Sequence, residues 1–359
     1  MKKTLIAIAA IAAMGAASAQ VTLYGKLDAG VGVTTNDAKN PNGTKVSPDQ
    51  GAQFGSGNYE TSRIGVKGSS DIANGIKGMF VLEGKLGATD GDFSNFGRQS
   101  YLGLSGGFGT VMVGRMWTPY DNAFNDAMEY NGFSAMGSAF YGGAHGDNGM
   151  DGSGASKNAF QYTTPTFGGL SAVIMYGSNG DAESTTTGDK SATNYTSLGV
   201  NYANGPLSVN LATEKVKTIL HLADFATTVA RDAYTNAWIL AGSYNLGVAT
   251  VFAAAEGASA DVGVAGNSLK DSGTSFGVSV PVNKATTAAL SYATETTTLE
   301  KASDAKSTSM GMQVVYAWNA ATAIYAGYRK TDSTALALAG ATQTTTTATN
   351  FATGVRYNF

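Results

Sequence analysis

The sequence predicts an all-β fold, a transmembrane barrel of sixteen antiparallel strands. Three observations support this prediction: many short segments alternate between apolar and polar side chains, short and long connections alternate along the chain, and the last segment alternates up to the final residue. The apolar face of that segment carries Phe351, Val355, Tyr357 and Phe359. Such alternation is typical of a strand with one lipid-facing side. An exposed aromatic edge strand promotes aggregation, whereas closure of a barrel pairs the last strand with the first.

The first nineteen residues have the pattern of a cleavable export signal. Lysines at positions 2 and 3 precede an apolar run over residues 5–14, and Ala-Ser-Ala follows at 17–19. The charged start, short apolar middle and small-residue ending are typical of such signals. The run is too short for a permanent membrane helix. We expect cleavage after Ala19, so that the barrel occupies residues 20–359.

Composition excludes several classes of protein. The 359 residues include 23 Lys and Arg, 26 Asp and Glu, 47 Gly and no Cys. Without cysteine, disulfides, zinc–thiolate centres and thiol nucleophiles are excluded, and we expect no cofactor or metal. The mild acidity gives no reason to expect a nucleic-acid partner. A soluble chain of this length should bury a large Leu/Ile/Val core, which this sequence lacks, whereas a barrel with a polar lumen needs none.

Sixteen segments show the alternation and turn boundaries of strands. They lie near residues 21–33, 57–68, 77–86, 97–105, 109–116, 158–164, 170–177, 194–203, 206–214, 236–245, 248–256, 272–280, 285–295, 307–318, 321–330 and 348–359. In the first segment Leu23 and Leu27 share one face, and Tyr24, Lys26 and Asp28 share the other.

Short and long connections alternate between these segments. Short turns such as Asn204-Gly205 separate long polar segments near 34–56, 87–96, 117–157, 178–193, 215–235, 257–271, 296–306 and 331–347. This asymmetry is typical of bacterial outer-membrane barrels, with short periplasmic turns and long external loops. Sixteen strands enclose a water-filled lumen. The apolar residues of 215–235 have a partly helical spacing and predict a short helix in that loop.

Two tandem soluble β-sandwiches are the alternative all-β architecture, because they also contain many short strands. That architecture does not explain the alternating loop lengths or the aromatic strand at the C-terminus. The sequence therefore favours the barrel.

Four segments carry a resemblance to a known family. They are VTLYGKLDAG at 21–30, SRIGVKGSSD at 62–71, GRQSYLGL at 97–104 and NAFQYTTPTFGGL at 158–170. These resemble the first strands and hairpins of the general diffusion porins of Gram-negative bacteria, in their β-proteobacterial branch. Beyond residue 170 the resemblance depends on strand spacing and on the terminal Phe359.

The resemblance implies passive passage of ions and small hydrophilic solutes through the cell outer membrane. It implies a homotrimer in which each barrel has its own pore, surrounded by outer-membrane lipid and lipopolysaccharide. It also implies that the third external loop, here residues 117–157, folds into the barrel and narrows it. A segment of about forty residues without structure is unusual in a compact domain unless it is functional or packed inside.

The pore constriction is expected to carry opposite charges on opposing walls. Asp121, Asp126 and Glu129 are its acidic candidates, on the inserted loop. The resemblance implies Arg63, Arg98 and Lys157 as basic residues, and Lys26 and Arg115 are further candidates.

Strand parity places Lys26 and Arg63 in the lumen and leaves Arg98 and Arg115 undecided. Because the narrowest point dominates ion selection, we expect a modest preference for anions.

Other functions remain as alternatives. A solute-specific channel is the nearest one, and a receptor or adhesin that binds through its loops is a third. Gly103-Leu104-Ser105-Gly106-Gly107 matches a hydrolase nucleophile pattern, but that pattern requires a helix after the serine, and a tight turn explains it better. His145 and His221 lie in loops on the opposite side, so we expect no enzyme. Asp147 and Asp151 only loosely resemble a calcium loop.

Overall fold

The computed structural model describes residues 20–39, 44–45, 50–127, 133–135, 155–183, 190–223, 228–261, 268–299, 302–335, 337–338 and 344–359. The export signal predicted at 1–19 lies outside these residues. None of the helices in the described part of the chain is long and apolar enough to span a membrane.

The described residues form nineteen strands and one helix of nine residues. The first ten strands are β1 Gln20–Lys39, β2 Gln50–Ser56, β3 Arg63–Ala73, β4 Ile76–Leu86, β5 Phe93–Gly106, β6 Gly109–Trp117, β7 Ala155–Thr163, β8 Leu170–Glu183, β9 Lys190–Asn204 and β10 Leu207–Ala223. The remainder are β11 Thr228–Asn245, β12 Thr250–Asp261, β13 Ser268–Pro281, β14 Thr286–Leu299, β15 Ala302–Ser303, β16 Ala305–Ala317, β17 Thr322–Thr334, β18 Ala337–Leu338 and β19 Thr345–Asn358. Helix α1 is Pro119–Ala127.

A closed antiparallel barrel of sixteen strands confirms the predicted fold. Each long strand pairs with the next in sequence, and β19 pairs with β1 from Lys26↔Asn358 to Lys39↔Thr345. At the seam, the Gly25 amide donates to the Phe359 carbonyl at 2.9 Å, and the Phe359 amide donates back at 3.1 Å. A Cβ on Gly25 would lie 2.3 Å from the Phe359 ring, so glycine is needed there. The aromatic C-terminus therefore closes the barrel, as its alternation indicated.

The two faces of the wall differ in exposure. Along β11, Trp238 and Leu240 are 44% and 45% exposed, whereas Ala237 and Ile239 are 6% and 0% exposed. The exposed set faces lipid, because large apolar side chains on the outside of a barrel contact the bilayer. The buried set faces the lumen, where another part of the chain must cover it.

The strands are longer than predicted at the ends that meet the long loops. The predicted helix in 215–235 is wrong: β10 continues to Ala223 and β11 starts at Thr228. In place of a helix, these two strands pair with each other along seventeen registered residue pairs. Pairing with neighbouring strands outweighs a weak helical spacing, because strand propensity depends on cross-strand contacts.

The strand predicted at 57–68 is also corrected. Its first half, residues 57–62, is an irregular turn, and its second half belongs to β3, which pairs with β1 from Gln20 to Lys26. The predicted loop before it contains β2, which pairs with β1 from Ala29 to Thr34, so the turn at 57–62 separates β2 from β3. This turn positions part of the candidate site.

Candidate pore constriction

Helix α1 follows β6 directly and has a well-formed N-terminus. The Thr118 hydroxyl donates to Asp121 Oδ2 at 2.9 Å, and the Asp121 amide donates to Thr118 Oγ1 at 3.1 Å. This is the geometry of an N-cap residue, and Pro119 occupies the first helical position, where its missing N–H costs least. The sequence therefore starts a helix where the predicted constriction loop begins.

Helix α1 packs on the inner face of the barrel. Its Tyr120, Ala123 and Phe124 are buried in a cluster with inner-wall residues. The wall members are Ala212, Ala237, Ile239, Ala241, Ala254 and Ala293. These mostly small residues alternate along their strands with the lipid-facing set, so the helix lies inside the lumen.

Residues 133–135 form a second inner contact further around the wall. The Phe133 ring lies 6.1 Å from Tyr325 and 6.3 Å from Tyr59, measured between ring centroids. The Ala135 amide donates to Ser291 Oγ at 2.9 Å. A Cβ on Gly327 would lie 2.2 Å from the Phe133 ring, so only glycine admits this close approach. The described parts of 117–157 therefore follow the inner wall from β9–β12 to β14–β17.

Buried carboxylates hold α1 against this wall. Tyr120 donates its hydroxyl to Glu256 Oε2 at 2.7 Å, while Thr118 Oγ1 and Tyr195 donate to Glu214. Burial first, and then the charge of Glu256, raise the pKa of Tyr120 well above its ordinary value, so the tyrosine stays a donor. Asp271 and Glu295 are 5% and 6% exposed on the same wall. We call Glu214, Glu256, Asp271 and Glu295 the covered acidic wall.

Opposite this wall, cations line the lumen side of β1, β3 and β4. Lys26 pairs in register with Arg63, and Arg63 pairs with Lys85, so three cations form one cross-strand row. Like charges directly opposite each other destabilise a sheet. Because such a row lowers the stability of the sheet, its presence implies that these cations have a function.

Glu83 forms ion pairs with two arginines, Arg63 of this row and Arg98 of β5. Arg98 Nε lies 2.7 Å from Glu83 Oε1, and Arg63 Nε lies 3.8 Å from Oε2. The Tyr24 hydroxyl donates to Glu83 at 3.0 Å. The Arg98 guanidinium also lies 5.0 Å from the Trp117 ring centroid, within cation–π range.

The turn at 57–62 adds a second carboxylate. Glu60 Oε2 accepts from Lys26 Nζ at 2.6 Å and from Arg356 Nη1 of the last strand. The turn is anchored by the fully buried Asp28, whose Oδ2 accepts the amides of Tyr59 and Glu60 at 3.2 and 2.8 Å.

Ion pairing tunes the charge of Glu60. Burial by itself would raise its pKa, but the hydrogen bond and charge of Lys26, together with Arg356, outweigh burial and lower the pKa below its ordinary value. Glu60 therefore remains a carboxylate at neutral pH. It neutralises part of the charge of the two cations that it contacts.

We call Lys26, Arg63, Lys85, Arg98 and Arg356 the basic cluster. Its five cations are accompanied by three carboxylates, those of Asp28, Glu60 and Glu83. Around a circuit of sixteen strands β10 is diametrically opposite β1. The basic cluster and the covered acidic wall thus occupy opposite sides of the barrel.

Three predicted site residues, Lys26, Arg63 and Arg98, come together. Strand alternation left the facing of Arg98 undecided, because the apolar Leu102 and Leu104 have the same parity. In the structure these two leucines face lipid and are 69% and 46% exposed. The structure explains this: Lys85 and Glu83, two residues apart on β4, pair with residues five apart on β5. The extra residues of this bulge return Arg98 to the lumen side.

The other predicted residues lie elsewhere or outside the described residues. Arg115 donates from Nε to the Gly97 carbonyl at a shift in the β6–β7 register. The Lys157 ammonium has no ion pair with any described residue. Asp121 lies in the first turn of α1, where its carboxylate accepts from the N-cap hydroxyl of Thr118, which also contacts Glu214. The side chain of Asp126 and all of Glu129 lie outside the described part.

Sequence reasoning missed Lys85, Arg356, Glu60 and Glu83. Alternation contained a signal for three of them, since Lys85 and Glu83 share one face of β4 and Arg356 lies on the polar face of the last strand. No local signal identified Glu60, because its position depends on the break between β2 and β3.

The nucleophile-like pattern lies in a tight turn. Ser105 belongs to β5, and Gly106 pairs with Gly109 at the start of β6. In the described residues no group of three or more His, Asp or Glu side chains could hold a metal. His145, Asp147 and Asp151 lie outside those residues, as does the side chain of His221.

A closed sixteen-stranded barrel with a charged, loop-lined lumen defines a water-filled outer-membrane channel. A model of the Gram-negative porin family matches residues 4–336 of the chain. The chain belongs to this family and is an outer-membrane general diffusion porin.

Known relatives agree with this family. Outer membrane porin protein 32 of Delftia acidovorans is 33% identical over 376 residues, which cover 100% of both chains. The major outer membrane protein P.IB of Neisseria meningitidis serogroup B is 34% identical over 208 residues, 57% of this chain and 56% of that one.

Solved structures show the same fold. An anion-selective porin from Comamonas acidovorans superposes with a TM-score of 0.75 at 26% identity, covering 95% of this chain and 100% of that one. OmpT of Vibrio cholerae, folded in vitro and described in its trimer form, has a TM-score of 0.67 at 19% identity, with 95% and 99% covered.

Proposed function

We propose that this porin prefers anions and that the basic cluster sets the preference. The observation that carries the proposal is the row Lys26–Arg63–Lys85, with Arg98 and Arg356 beside it. Fixed charges at a water-filled constriction bias which ions enter, because low-dielectric walls focus their field. The similarity to a porin described as anion-selective supports the same sign.

The acidic residues of the opposite wall do not cancel this field at the lumen surface. Glu214, Glu256, Asp271 and Glu295 are at most 6% exposed. The formal net charge of −3 is therefore a poor guide to selectivity. The sign depends on which charges border the water.

The test is the reversal potential of refolded protein in a planar lipid bilayer under a salt gradient. We expect the anion sign for the wild type and a shift toward cations for Arg63→Gln combined with Arg98→Gln. Lys306→Gln, an exposed lysine on the outer face of β16, is the matched control and should leave the potential unchanged. A cation-selective wild type, or a double variant with the wild-type potential, would contradict the proposal.

We also propose that residues 117–157 narrow the pore and that residues 1–19 are removed after Ala19. The inner-wall contacts of α1 and Phe133 support the first statement, and the export-signal pattern supports the second. Deletion of 128–132 should alter single-channel conductance. N-terminal sequencing of protein from the outer membrane should start at Gln20.

We propose, finally, a homotrimer. Family membership supports it, as does the trimer form described for OmpT, which has the same fold. Conductance should rise in groups of three equal steps when single particles insert into a bilayer. Light scattering of a monodisperse species with the mass of one chain would contradict the trimer.

A further inference from the structure

Phe133 of the inserted loop occupies a socket in the inner wall. Glycines of β16 and β17 form part of this socket: a Cβ on Gly327 would clash with the Phe133 ring, and a Cβ on Gly311 would clash with the Phe133 carbonyl oxygen. Two residues further along, the Ala135 amide donates to Ser291 Oγ of β14 at 2.9 Å. The loop is therefore fixed to the wall at this point, and Phe133 is only 1% exposed.

The other side of the socket is aromatic. The Phe133 ring centroid lies 6.1 Å from that of Tyr325 and 6.3 Å from that of Tyr59. The Tyr59 and Tyr325 rings stack on each other, with centroids 5.1 Å apart and 25° between their planes. Aromatic rings attract each other when their centroids are about 4.5–7 Å apart. We call Phe133, Tyr59 and Tyr325, which are buried together, the aromatic cluster.

The aromatic cluster also contacts charges of the pore constriction. The Arg356 guanidinium lies 5.4 Å from the Tyr59 ring centroid, within cation–π range. Glu60 follows Tyr59 directly in the turn at 57–62 and accepts from Lys26 at 2.6 Å and from Arg356. One tyrosine ring thus lies between the inserted loop and a charged group of the basic cluster.

Asp28 joins the same elements by hydrogen bonds. Its Oδ1 accepts from the Tyr325 hydroxyl at 2.7 Å, and its Oδ2 accepts from the amides of Tyr59 and Glu60 at 3.2 and 2.8 Å. Ring stacking and hydrogen bonding therefore both fix the turn at 57–62 to Tyr325, which borders Phe133. Because packed protein interiors deform little and transmit strain, displacement of Phe133 also displaces Glu60.

We infer that Phe133 is a positioning residue for ion selection, which holds Glu60 and Arg356 in place by filling its socket. Phe133 is buried, so it acts on passing ions only through Tyr59 and Tyr325. The inserted loop then sets the arrangement of charges as well as the width of the pore. This inference rests on the proposed function, in which the basic cluster determines ion preference.

The experiment is a double-mutant cycle on the reversal potential of the refolded mature protein in a planar bilayer under a salt gradient. In the wild-type background, Glu60→Gln should raise anion preference, because Lys26 and Arg356 lose their counter-charge. In the Phe133→Ala background, the same substitution should shift the reversal potential about half as much. That reduction is expected when the distance between the carboxylate and the passing ion roughly doubles.

Three further variants serve as controls. Phe124→Ala removes the same ring from the same loop where it packs among wall alanines, and should leave the full effect of Glu60→Gln. Glu83→Gln should have the same effect with and without the Phe133 ring, because Glu83 lies on β4 and pairs with Arg98 instead of the turn. Gly327→Ala should reproduce Phe133→Ala, since it expels the ring without changing Phe133.

Equal effects of Glu60→Gln in the wild-type and Phe133→Ala backgrounds would overturn the inference. An equal reduction in the Phe124→Ala background would also overturn it, because general loosening of the loop would then explain the result. If Glu60→Gln had the wild-type potential, Phe133 would have no charge to position. The proposed function fails by a different result, an unchanged potential when Arg63→Gln and Arg98→Gln are combined.

Discussion

The two opposite walls of this barrel use charged side chains for different purposes. The wall around β1 carries five cations, and Glu60 and Glu83 form ion pairs with four of them. The wall from β9 to β14 carries alanines that pack on α1 and four buried carboxylates, of which Glu214 and Glu256 accept hydrogen bonds from Thr118 and Tyr120. The first can act on passing ions, whereas the second holds the inserted loop. Position relative to water thus separates the wall that selects ions from the wall that supports the inserted loop.

The largest expected effect tests the support wall. Ile239→Ala removes a fully buried side chain beneath α1. It should lower the free energy of unfolding by about 2–5 kcal/mol, the usual cost of a large-to-small change in a packed interior. Denaturant unfolding of the refolded barrel measures the change. Leu240→Ala, one position along the same strand and 45% exposed toward lipid, is the control and should cost clearly less. Equal losses would mean that α1 does not pack on this wall as described.

Removing one tyrosine hydroxyl from each wall should lower the free energy of unfolding by a smaller amount. Tyr120→Phe removes the hydroxyl that Glu256 accepts and leaves a buried oxygen unpaired, at a cost of about 1–3 kcal/mol. Tyr24→Phe removes a donor to Glu83, which keeps its ion pair with Arg98, so about 0.5–1.5 kcal/mol is expected. The same unfolding assay ranks them. If Tyr24→Phe lowered the free energy of unfolding more than Tyr120→Phe, the wall of β9–β14 would not be the one that holds the inserted loop.

Removing one carboxylate from each of the two walls tests which wall determines ion selectivity. Glu83→Gln should increase anion preference, because Arg63 and Arg98 lose their counter-charge. A unit charge about 4 Å from an ion in a water-like medium changes its energy by about 1 kcal/mol, roughly fivefold in the permeability ratio. Glu256→Gln should leave the reversal potential unchanged, since that side chain is covered. A shift with Glu256→Gln as large as with Glu83→Gln would show that buried charges also select.

Sequence predicted the fold far better than the site, for a physical reason. Strand alternation and turn residues are local, so sixteen strands and the closing role of Phe359 were accessible. Lys26 and Arg63 followed from the same alternation. The facing of Arg98 depends on a bulge whose extra residues no pattern marks, and Glu60 depends on the break between β2 and β3. Both are consequences of three-dimensional pairing, which alternation within one strand does not contain.

The turn between β2 and β3 contains Glu60, whose titration gives the smallest predicted effect, a pH dependence of the anion preference. Glu60 has a lowered pKa in the folded protein, because Lys26 and Arg356 outweigh the effect of its burial. Its ion pairs therefore stabilise the fold above the ordinary value of 4.5, and that contribution is lost as pH falls through the lowered pKa. Protonation also removes the negative charge that partly neutralises two cations of the basic cluster. Anion preference should thus rise on acidification below pH 4.5.

Reversal potentials of the wild type and Glu60→Gln, measured from neutral to acidic pH, isolate this effect. The variant should already show the higher anion preference at neutral pH and should change less on acidification than the wild type. Asp71→Asn, an exposed carboxylate at the short-turn end of β3, is the control and should titrate like the wild type. If Glu60→Gln and the wild type respond identically to acid, the titrating group is another carboxylate. The turn at 57–62 would then shape the pore without tuning its charge.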